Sequence, residues 1–574
     1  MEIVGRFEFG LKNYGNVVTD TDIYEIKEKN DSKNAIGGDT VKIKYTQDKN
    51  IVTDIIKRTT DIIPGVLYTS SRTIYGFNNR KVPMKKFIPN DKKYPMFLVP
   101  TKIPQNGVDT YVTINLNKWI EGEKYAIGSL CSVIGPIGRY DVELEYLKYC
   151  HHIKYKPFKK LNFIPDDYLH DITPDRIDLT NKYTISIDPV GCRDIDDALH
   201  IEQVSNKVYE IGIHIADVSS FIPYESFLDR EIMKRGETVY LEQEQINMLP
   251  DEFSFDHCSL LQDEKRRTFS LIINIDIDGK INSYEFVKGI ISNKLSISYE
   301  EATKLLNINN DITNLYKIGR ILYEGTEYDM HKMVEIYMIL ANRLVAEFIS
   351  KHDKENSIFR TLSAKNSIIV TDQIKILNIF NMNRAEYVNY ENNKGHCLLN
   401  LEYYTHFTSP IRRYIDIIIH RILYNILTGK KKSINPKMLC HYLNRCQNNI
   451  KKACNDSIKL EIIHKFTPTE LSGIIASIIV VQDNKLLIYV EKFKLLVSLK
   501  LFSNKIKHLV KYISTEEYIE IYLAEKKIIF NVCSRILINM IILKKSPHID
   551  KKIVVELVDD NLKDMVNILS MTVK

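Results

Sequence analysis

Paired cysteines, long apolar runs and tryptophan are missing or scarce in this chain of 574 residues. Its nine cysteines are odd in number and none lies in a CxxC pair, so neither a zinc site nor a disulfide framework follows and a reducing compartment is favoured. The most apolar stretches, 473–481 and 536–543, are about half as long as a membrane span. No apolar signal region follows the first residues. We therefore expect a cytoplasmic protein with no membrane association.

Excess charge is also small. Lys and Arg number 79 against 73 acidic residues, a net charge of +6, which excludes a uniformly basic coat and leaves local basic channels open. Aromatic residues are dominated by 34 Tyr, with a single Trp. Tyrosines on a surface can stack on bases, but they also fill cores, so this count alone leaves both interpretations open.

The pattern of strands and helices predicts four units, as a chain of this length suggests. Short strands separated by Gly, Asn and Asp turns predict a small barrel up to about residue 64, and a second series runs to a proline-containing linker at 155–175. The largest unit mixes strands with helices at 332–349 and 410–427. A last strand-rich segment begins near 471 and ends with a helix-compatible stretch at 561–569.

Four aspartates give the strongest chemical signal. Asp188, Asp194, Asp196 and Asp197 fall within ten residues, in a loop that Pro189 and Gly191 keep from being helical. Ionised carboxylates this close repel each other, and they either share protons or bind divalent cations such as Mg²⁺ or Mn²⁺. A solvated acidic turn is the alternative. A calcium loop of the EF-hand type is excluded, because Leu199 stands where such a loop needs Gly and Ser205 where it needs Glu.

The segment Ser409-Pro410-Ile411-Arg412-Arg413 is the second signal. Ser409 is expected to cap a helix that begins at Pro410. Arg412 would then share a helix face with Asp416, and together with free backbone N–H groups it would bind a phosphate. The alternative is an ordinary capped helix with an Arg–Asp pair. A carboxylate loop and this arginine in one unit favour phosphoryl transfer.

Several polar residues in apolar surroundings are expected to be structural. We expect His214 to be a hydrogen-bonded core residue. Glu335 and Asn342 lie seven residues apart on the predicted 332–349 helix, so we expect them to share a face and to need buried partners. The ordinary expectation for Tyr240 is a position in the core or on the surface of a strand.

Four segments resemble the catalytic domain of the RNase II/RNase R family of exoribonucleases: DPVGCRDIDDALHIE (188–202), HIADVSSFI (214–222), TVYLEQEQINMLPDEFSFDHCSLLQDEKRRTFSL (238–271) and GHCLLNLEYYTHFTSPIRRYIDIIIHR (395–421). The resemblance implies an α+β multidomain protein. A mixed α/β RNB catalytic domain (166–465) would be flanked by two N-terminal cold-shock-type OB β-barrels (1–64 and 65–165) and one C-terminal OB-type RNA-binding β-barrel (466–574).

The activity implied by this resemblance is processive 3′-5′ hydrolysis of single-stranded RNA to nucleoside 5′-monophosphates by two-metal catalysis, with Mg²⁺ or Mn²⁺ as cofactor. The protein would be monomeric. The roles implied are these: metal binding by Asp188, Asp194, Asp196 and Asp197; catalysis by Asp196, Asp197 and Arg412; and RNA binding by Tyr240, Thr408, Ser409 and Arg412. An RNA-binding protein that has lost catalysis and a metal-dependent endonuclease are the alternatives.

Overall fold

A computed structural model of the chain describes residues 2–10, 13–45, 49–105, 107–119, 124–158, 176–363, 384–430, 432–502, 510–515, 518–522 and 527–558. The first unit is an antiparallel sheet in the order β3-β2-β1-β4-β5, whose strands are Glu2–Phe9 (β1), Gly15–Val18 (β2), Ile23–Ile26 (β3), Thr40–Tyr45 (β4) and Asn50–Lys57 (β5). Its two edges meet, because the Asn50 side-chain amide donates to the Glu25 carbonyl at 3.0 Å. The sheet therefore curls toward a barrel around Phe7, Val41 and Ile43.

The second unit is a closed barrel. Its strands are Ile63–Leu67 (β6), Met84–Pro89 (β7), Met96–Pro100 (β8), Thr110–Lys118 (β9) and Tyr125–Pro136 (β10), paired in the circular order β6-β7-β8-β10-β9. Only β8 and β10 of this barrel run parallel. Gly65 is required where β6 crosses the core, because a Cβ there would lie 2.4 Å from the Phe87 ring. This connectivity is that of an OB fold.

The third unit is built on a six-stranded sheet that closes on itself. Its strands and short hairpins are Ile177–Asp178 (β11), Thr184–Asp188 (β12), Asp197–Ser205 (β13), Val208–Ala216 (β14), Val239–Tyr240 (β15), Gln245–Ile246 (β16), Lys265–Asp276 (β17) and Ile281–Ser298 (β18). The main order is β11-β18-β12-β13-β14-β17, and β17 also pairs with the first part of β18. The sheet thus closes on itself, and the ends of β12 and β18 lie side by side.

Seven described helices accompany these sheets: Tyr140–Cys150 (α1), Phe227–Arg235 (α2), Tyr299–Lys304 (α3), Asn310–Ile321 (α4), Met330–His352 (α5), Tyr414–Leu427 (α6) and Pro436–Lys465 (α7). The predicted 332–349 helix is confirmed by α5, whose buried residues Tyr337, Ala341 and Val345 face the main core. A two-stranded sheet, Ile358–Thr361 (β19) with Glu386–Asn389 (β20), packs on α7. None of the described helices combines the length and apolar character that crossing a membrane requires.

The last unit contains two sheets around one core. Their strands are Ile474–Gln482 (β21), Lys485–Val490 (β22), Leu495–Lys500 (β23), Lys511–Ser514 (β24), Tyr518–Tyr522 (β25), Lys527–Asn531 (β26), Arg535–Ile542 (β27) and Ile553–Leu557 (β28). The sheets run β23-β22-β21-β27-β28 and β24-β25-β26. Ile488, Ile519 and Ile538 pack together inside them.

The positions of the four predicted units can be compared with these elements. The expected boundary between 64 and 65 falls within β6, and that between 465 and 466 falls at the end of α7. The boundary between 165 and 166 and the helix-compatible stretch 561–569 lie outside the described residues. The division into four ranges stays a prediction.

Candidate active site

The aspartate loop connects two neighbouring strands. Asp188 is the last residue of β12 and Asp197 the first of β13, and the antiparallel register pairs Ile185 with Leu199. The loop therefore turns back on itself and brings the two strand ends together. Gly191 allows this turn with a φ of +82°, in the left-handed region that favours glycine.

Burial and mutual repulsion dominate the electrostatics of this loop. Burial, together with the charges of Asp196 and Asp194, raises the pKa of Asp188 to about 7. Burial and the charge of Asp188 raise the pKa of Asp197 to about 7. Burial also raises the pKa of Asp196 well above its usual range, against the effect of Arg412. The loop lacks enough positive charge to hold these carboxylates ionised together.

The donor atoms fit a hard divalent cation. Asp188 Oδ2 and Asp196 Oδ2 are buried, and neither accepts a hydrogen bond from any residue that the structure describes. Carboxylate oxygens are the ligands that Mg²⁺ and Mn²⁺ prefer. Across the described ranges, however, no three His, Cys, Asp or Glu side chains are already gathered around one point. The charge and the donor type thus fit a metal, although the side chains do not form a closed coordination shell.

Arg412 lies directly beside this loop. Its Nε is 3.5 Å from Asp196 Oδ2, and its Nη2 donates to Ser409 Oγ at 2.9 Å. The Ile411 backbone N–H donates to Asp196 Oδ1 at 2.9 Å. The segment that carries Arg412 is thus attached to the aspartate loop, while the Arg412 side chain remains 45% exposed.

The predicted helix start at Ser409 and Pro410 is wrong. Helix α6 begins at Tyr414 with Arg413 as its N-cap, and residues 410–412 form a turn. The cause is a β-bridge between Glu237 and Arg413, which holds Arg413 in an extended conformation with φ of −136°. Ser409 instead donates its N–H to Asp416 Oδ1 at 2.8 Å.

The expected pairing of Arg412 with Asp416 is wrong for the same reason. Asp416 accepts from Arg413 Nη2 at 2.9 Å, and Arg412 turns toward Asp196. The positively charged hydrogen-bond donor near the carboxylates is therefore the Arg412 guanidinium on a turn, rather than a helix N-terminus.

The same backbone pairing brings Tyr240 to the site. Thr238 N–H donates to the Arg412 carbonyl at 2.9 Å, which aligns the short strand that ends in Tyr240. The Tyr240 ring is 48% exposed. Burial raises the pKa of the Tyr240 hydroxyl, and the charge of Asp194 raises it further. An exposed ring beside the carboxylates can stack on a base.

Thr408 and Ser409 are buried. Thr408 Oγ1 accepts from the Asn342 side-chain amide at 3.4 Å, and Ser409 Oγ accepts from Arg412. In this arrangement both hydroxyls support the turn that carries Arg412. Their direct contact with RNA stays a prediction.

Comparison with known proteins identifies two domains. Residues 176–327 and 322–429 match the RNB domain, and residues 85–152 match the Dis3-like cold-shock domain 2. The chain thus contains an RNB domain. The human exosome complex exonuclease RRP44 is 29% identical over 501 residues, which cover 71% of this chain and 52% of that protein. Ribonuclease R 2 of Lactococcus lactis is 27% identical over 69% of this chain and 72% of its own length.

Solved structures show the same fold. RNase R of Mycoplasma genitalium in complex with ribose-methylated single-stranded RNA matches 97% of this chain and all of its own with a TM-score of 0.71, at 17% identity. Yeast Ssd1, described as a pseudonuclease, matches 91% of this chain and 81% of its own with a TM-score of 0.67, at 18% identity. The chain spans about half the length of the RRP44 proteins.

The RNB domain also brings in Tyr299, which sequence reasoning missed. Strand β18 runs parallel to β12 with Ser298 opposite Asp188, so Tyr299 emerges beside the aspartates. Burial raises the pKa of Tyr299, and the charges of Asp197 and Asp188 raise it further. More than a hundred residues separate the paired strands in sequence, so only the strand pairing could have revealed this neighbour.

Asn342 supports the site, whereas Glu335 does not. Asn342 is buried, and its Oδ1 accepts from the Phe407 N–H at 2.7 Å, just before the Arg412 turn. Glu335 is exposed and pairs with Lys332 at 2.6 Å, so the expectation that it needs a buried partner is wrong. His214 is confirmed as a core residue, with hydrogen bonds to His200 and Ser270.

Cations gather along α7 in two groups: Arg360, Arg384 and Lys451, and then Lys93, Arg445 and Lys452. Burial lowers the pKa of Lys451, and the positive charges of Arg384 and Arg360 lower it further. Burial lowers the pKa of Lys93 as well; Asp91 opposes this, while Lys452 and Arg445 add to it. Such groups favour an anionic ligand along this helix.

Proposed function

We propose that the protein is a processive 3′-5′ exoribonuclease that hydrolyses single-stranded RNA to nucleoside 5′-monophosphates. The observation that carries this proposal is the contact of Arg412 with the buried aspartate loop. Carboxylates that favour a divalent cation and a half-exposed guanidinium then lie next to each other. A phosphodiester is a ligand that suits both.

The aspartates Asp188, Asp194, Asp196 and Asp197 would hold the metal. Two Mg²⁺ ions, or Mn²⁺, bound by these groups would supply an activated water and neutralise charge on the leaving 3′ oxygen. Asp196 is already held in place by the Ile411 N–H. The pKa values of Asp188 and Asp197 are about 7, so a neighbouring positive charge would strongly favour their ionised forms.

Arg412 and Tyr240 would hold the substrate. The Arg412 guanidinium, fixed by Ser409 Oγ and Asp196, would bind the scissile phosphate and oppose the charge that develops on it. The exposed Tyr240 ring would stack on a base near the 3′ end, a contact worth about 1–3 kcal/mol. The cations along α7 would lead the strand toward these groups.

Relatives support the choice of RNA. RRP44 and ribonuclease R 2 are named as an exonuclease and a ribonuclease, and the RNase R structure contains single-stranded RNA. A second candidate, an RNA-binding protein without catalysis, is favoured by the likeness to the pseudonuclease Ssd1 and by the open arrangement of the carboxylates. A metal-dependent endonuclease is the third possibility at this site.

One experiment separates the three candidates. Single-stranded RNA labelled at its 5′ end is incubated with the full chain in Mg²⁺ and in EDTA, and the products are resolved by length. We expect a short labelled end product with nucleoside 5′-monophosphates in Mg²⁺ and intact RNA in EDTA. Fragments of intermediate length would instead indicate an endonuclease, and intact RNA in both buffers a binding protein.

A further inference from the structure

The Tyr240 ring is carried by a very short hairpin. Its strands β15 and β16 have two residues each. The Leu241 N–H donates to the Glu244 carbonyl at 2.9 Å and closes the turn between them. A two-stranded hairpin of this kind is only marginally stable by itself. The position of the Tyr240 ring therefore depends on the elements that the hairpin contacts.

Helix α7 contacts the backbone of this hairpin. Ser457 Oγ accepts from the Glu242 N–H at 2.9 Å, and Ser457 is only 1% exposed. Cys454 Sγ donates to the Tyr240 carbonyl at 3.2 Å. Residues three apart on a helix are neighbours on its surface, so both contacts come from one face of α7. The backbone of Tyr240 and of the turn after it is thus attached to this face.

Helix α1 contacts the tip of the same hairpin. Lys148 Nζ lies 2.8 Å from Glu244 Oε2, and the Lys148 side chain is only 12% exposed. One apolar cluster contains Leu147 of α1, Leu241 of the hairpin and Ala453 of α7. Helix α1 lies within residues 85–152, the range that matches cold-shock domain 2. The hairpin therefore joins the second barrel to α7.

The ring itself is left accessible by these contacts. The Arg412 carbonyl accepts from the Thr238 N–H just before β15, so a third element fixes the start of the hairpin. The Tyr240 ring remains 48% exposed. A group that binds a ligand has to be held within about 0.5 Å of its productive position by its supporting contacts. The contacts of the hairpin thus decide whether an exposed ring can stack.

We propose that Ser457 in α7 and Lys148 in α1 are positioning residues for Tyr240, which fix the hairpin so that the ring stacks on the base at the 3′ end of the RNA. The proposal rests on the proposed function for the role of Tyr240 in stacking. Both residues act through Tyr240 and not through contact with the RNA. The second barrel and α7 thereby set the geometry of a contact at the active site.

The fluorescence of 2-aminopurine, which stacking quenches, measures this geometry. The probe is a single-stranded RNA of about 20 nucleotides with 2-aminopurine as its 3′-terminal base, bound to the full chain in EDTA, where catalysis plays no role. At saturating protein we expect wild type to quench the probe and Tyr240→Ala to lose this quenching. Ser457→Ala and Lys148→Met should each lose about half of the quenching or more while the RNA remains bound.

Conservative variants and matched controls separate positioning from stability. Ser457→Thr keeps the hydroxyl and Lys148→Arg keeps the cation, so both should retain the quenching. Ser350→Ala removes a buried hydroxyl from α5, and Lys154→Met removes another cation that pairs with Glu145. Both controls should quench like wild type. Circular dichroism of every variant checks that the fold is intact.

Double variants test whether the effect passes through Tyr240. In fluorescence anisotropy, Tyr240→Ala should weaken RNA binding about 5-fold or more. Ser457→Ala or Lys148→Met should cause little further loss in that background, because the contact that they position is already gone. Lys148→Met should fold normally even if Ser457→Ala does not, because its partner Glu244 is 38% exposed.

The outcomes distinguish this role from the proposed function. Full quenching by Ser457→Ala and Lys148→Met, with quenching lost in Tyr240→Ala, would overturn the positioning role and leave the proposed function intact. Equal losses of affinity with and without Tyr240 would also overturn it. Quenching that Tyr240→Ala does not change would overturn both the positioning role and the stacking by Tyr240. The expected quenching pattern without cleavage in Mg²⁺ would support the positioning role and overturn the nuclease.

Discussion

The aspartates of the loop differ in how firmly each is held. Asp196 accepts the Ile411 N–H and lies against Arg412, so its position depends on the neighbouring turn. Asp188 and Asp197 face each other from two strand ends, and their pKa values are raised to about 7 by burial and, in addition, by the charges of neighbouring aspartates. Groups that destabilise a fold in this way are typical of functional sites.

Asp197→Asn should separate catalysis from stability. The amide keeps the shape of the carboxylate but removes its charge, so we expect release of monophosphates to fall about 100-fold or more. Removal of the repulsion with Asp188 should leave the free energy of unfolding equal or higher. RNA binding should be retained. Turnover of labelled RNA, fluorescence anisotropy of bound RNA and urea unfolding measure the three effects.

The control is Asp178→Asn, an exposed carboxylate on β11 that should leave all three measurements unchanged. A parallel loss of binding and cleavage in Asp197→Asn would show that Asp197 serves structure or RNA binding instead.

At the scale of elements, the turn at 409–412 is positioned from both sides. On one side, Asp416 in α6 accepts hydrogen bonds from the Ser409 N–H and the Arg413 side chain. On the other side, the backbone of residues 236–238 pairs with that of residues 412–414. Asn342 in α5 holds the Phe407 backbone just before the turn. Arg412 is therefore placed by the helix that follows it, α6, and by two segments that are distant in sequence.

Asp416→Ala should damage catalysis through Arg412. The change leaves the Ser409 N–H and the buried Arg413 without their acceptor, at a cost of about 3–5 kcal/mol in unfolding free energy. We expect kcat to fall more than KM rises, and Arg412→Ala to cause little further loss in the double variant. Asp416→Asn keeps one acceptor oxygen and should recover part of kcat. Additive losses in the double variant would contradict this coupling.

The β13–β14 hairpin contains a buried pair of histidines, His200 and His214, which predicts a pH effect on stability. His200 Nδ1 and His214 Nε2 are 2.7 Å apart, and burial lowers the pKa of both imidazoles. The unfolded chain takes up protons below about pH 6.5 that the folded chain cannot, so this contribution is complete above that pH and is lost as the pH falls.

We expect the urea unfolding free energy of His200→Gln to depend less steeply on pH between about 7.5 and 5.5 than that of wild type, by up to about 1.4 kcal/mol per pH unit. His352→Gln, which changes an exposed histidine, serves as the control. Identical slopes in His200→Gln and wild type would show that the pair does not titrate in the unfolding reaction.

For the whole molecule, one buried ion pair joins the second barrel to the last unit. Lys552 Nζ donates to Glu143 Oε1 at 2.8 Å and to the Lys544 carbonyl at 2.7 Å, and both charged side chains are almost fully buried. Tyr111 in β9 donates to the Pro547 carbonyl at 3.0 Å nearby. In the first half of α7, Arg445 pairs with Glu8 of β1. These contacts set how the strand-rich units sit around the RNB domain.

Lys552→Met should therefore be strongly destabilising. Glu143 would remain buried without its cation, which costs about 3–5 kcal/mol, and Lys552→Met with Glu143→Gln should recover much of this loss. Urea unfolding monitored by circular dichroism measures the difference. Lys551→Met, next in sequence and exposed, is the control. A double variant no more stable than Lys552→Met would mean that packing, rather than charge, joins the two units.

The sequence alone indicated the kind of fold and the candidate site residues. The aspartates and Arg412 stand out as charged groups in short segments, Tyr240 was added by the resemblance to the RNase II/RNase R family, and α5 follows from its apolar period. The lack of CxxC pairs and of long apolar runs argues against a disulfide framework, a zinc site and a membrane span.

The tertiary structure alone decided where the site residues meet. Ser409 and Pro410 carry every local signal of a helix start, yet the bridge between Glu237 and Arg413 provides backbone hydrogen bonds that the helix would forgo, and the helix begins later. Tyr299 reaches the aspartates only through the pairing of β12 with β18. Contacts between distant segments override local preference, because a buried backbone group must find a partner wherever the fold supplies one.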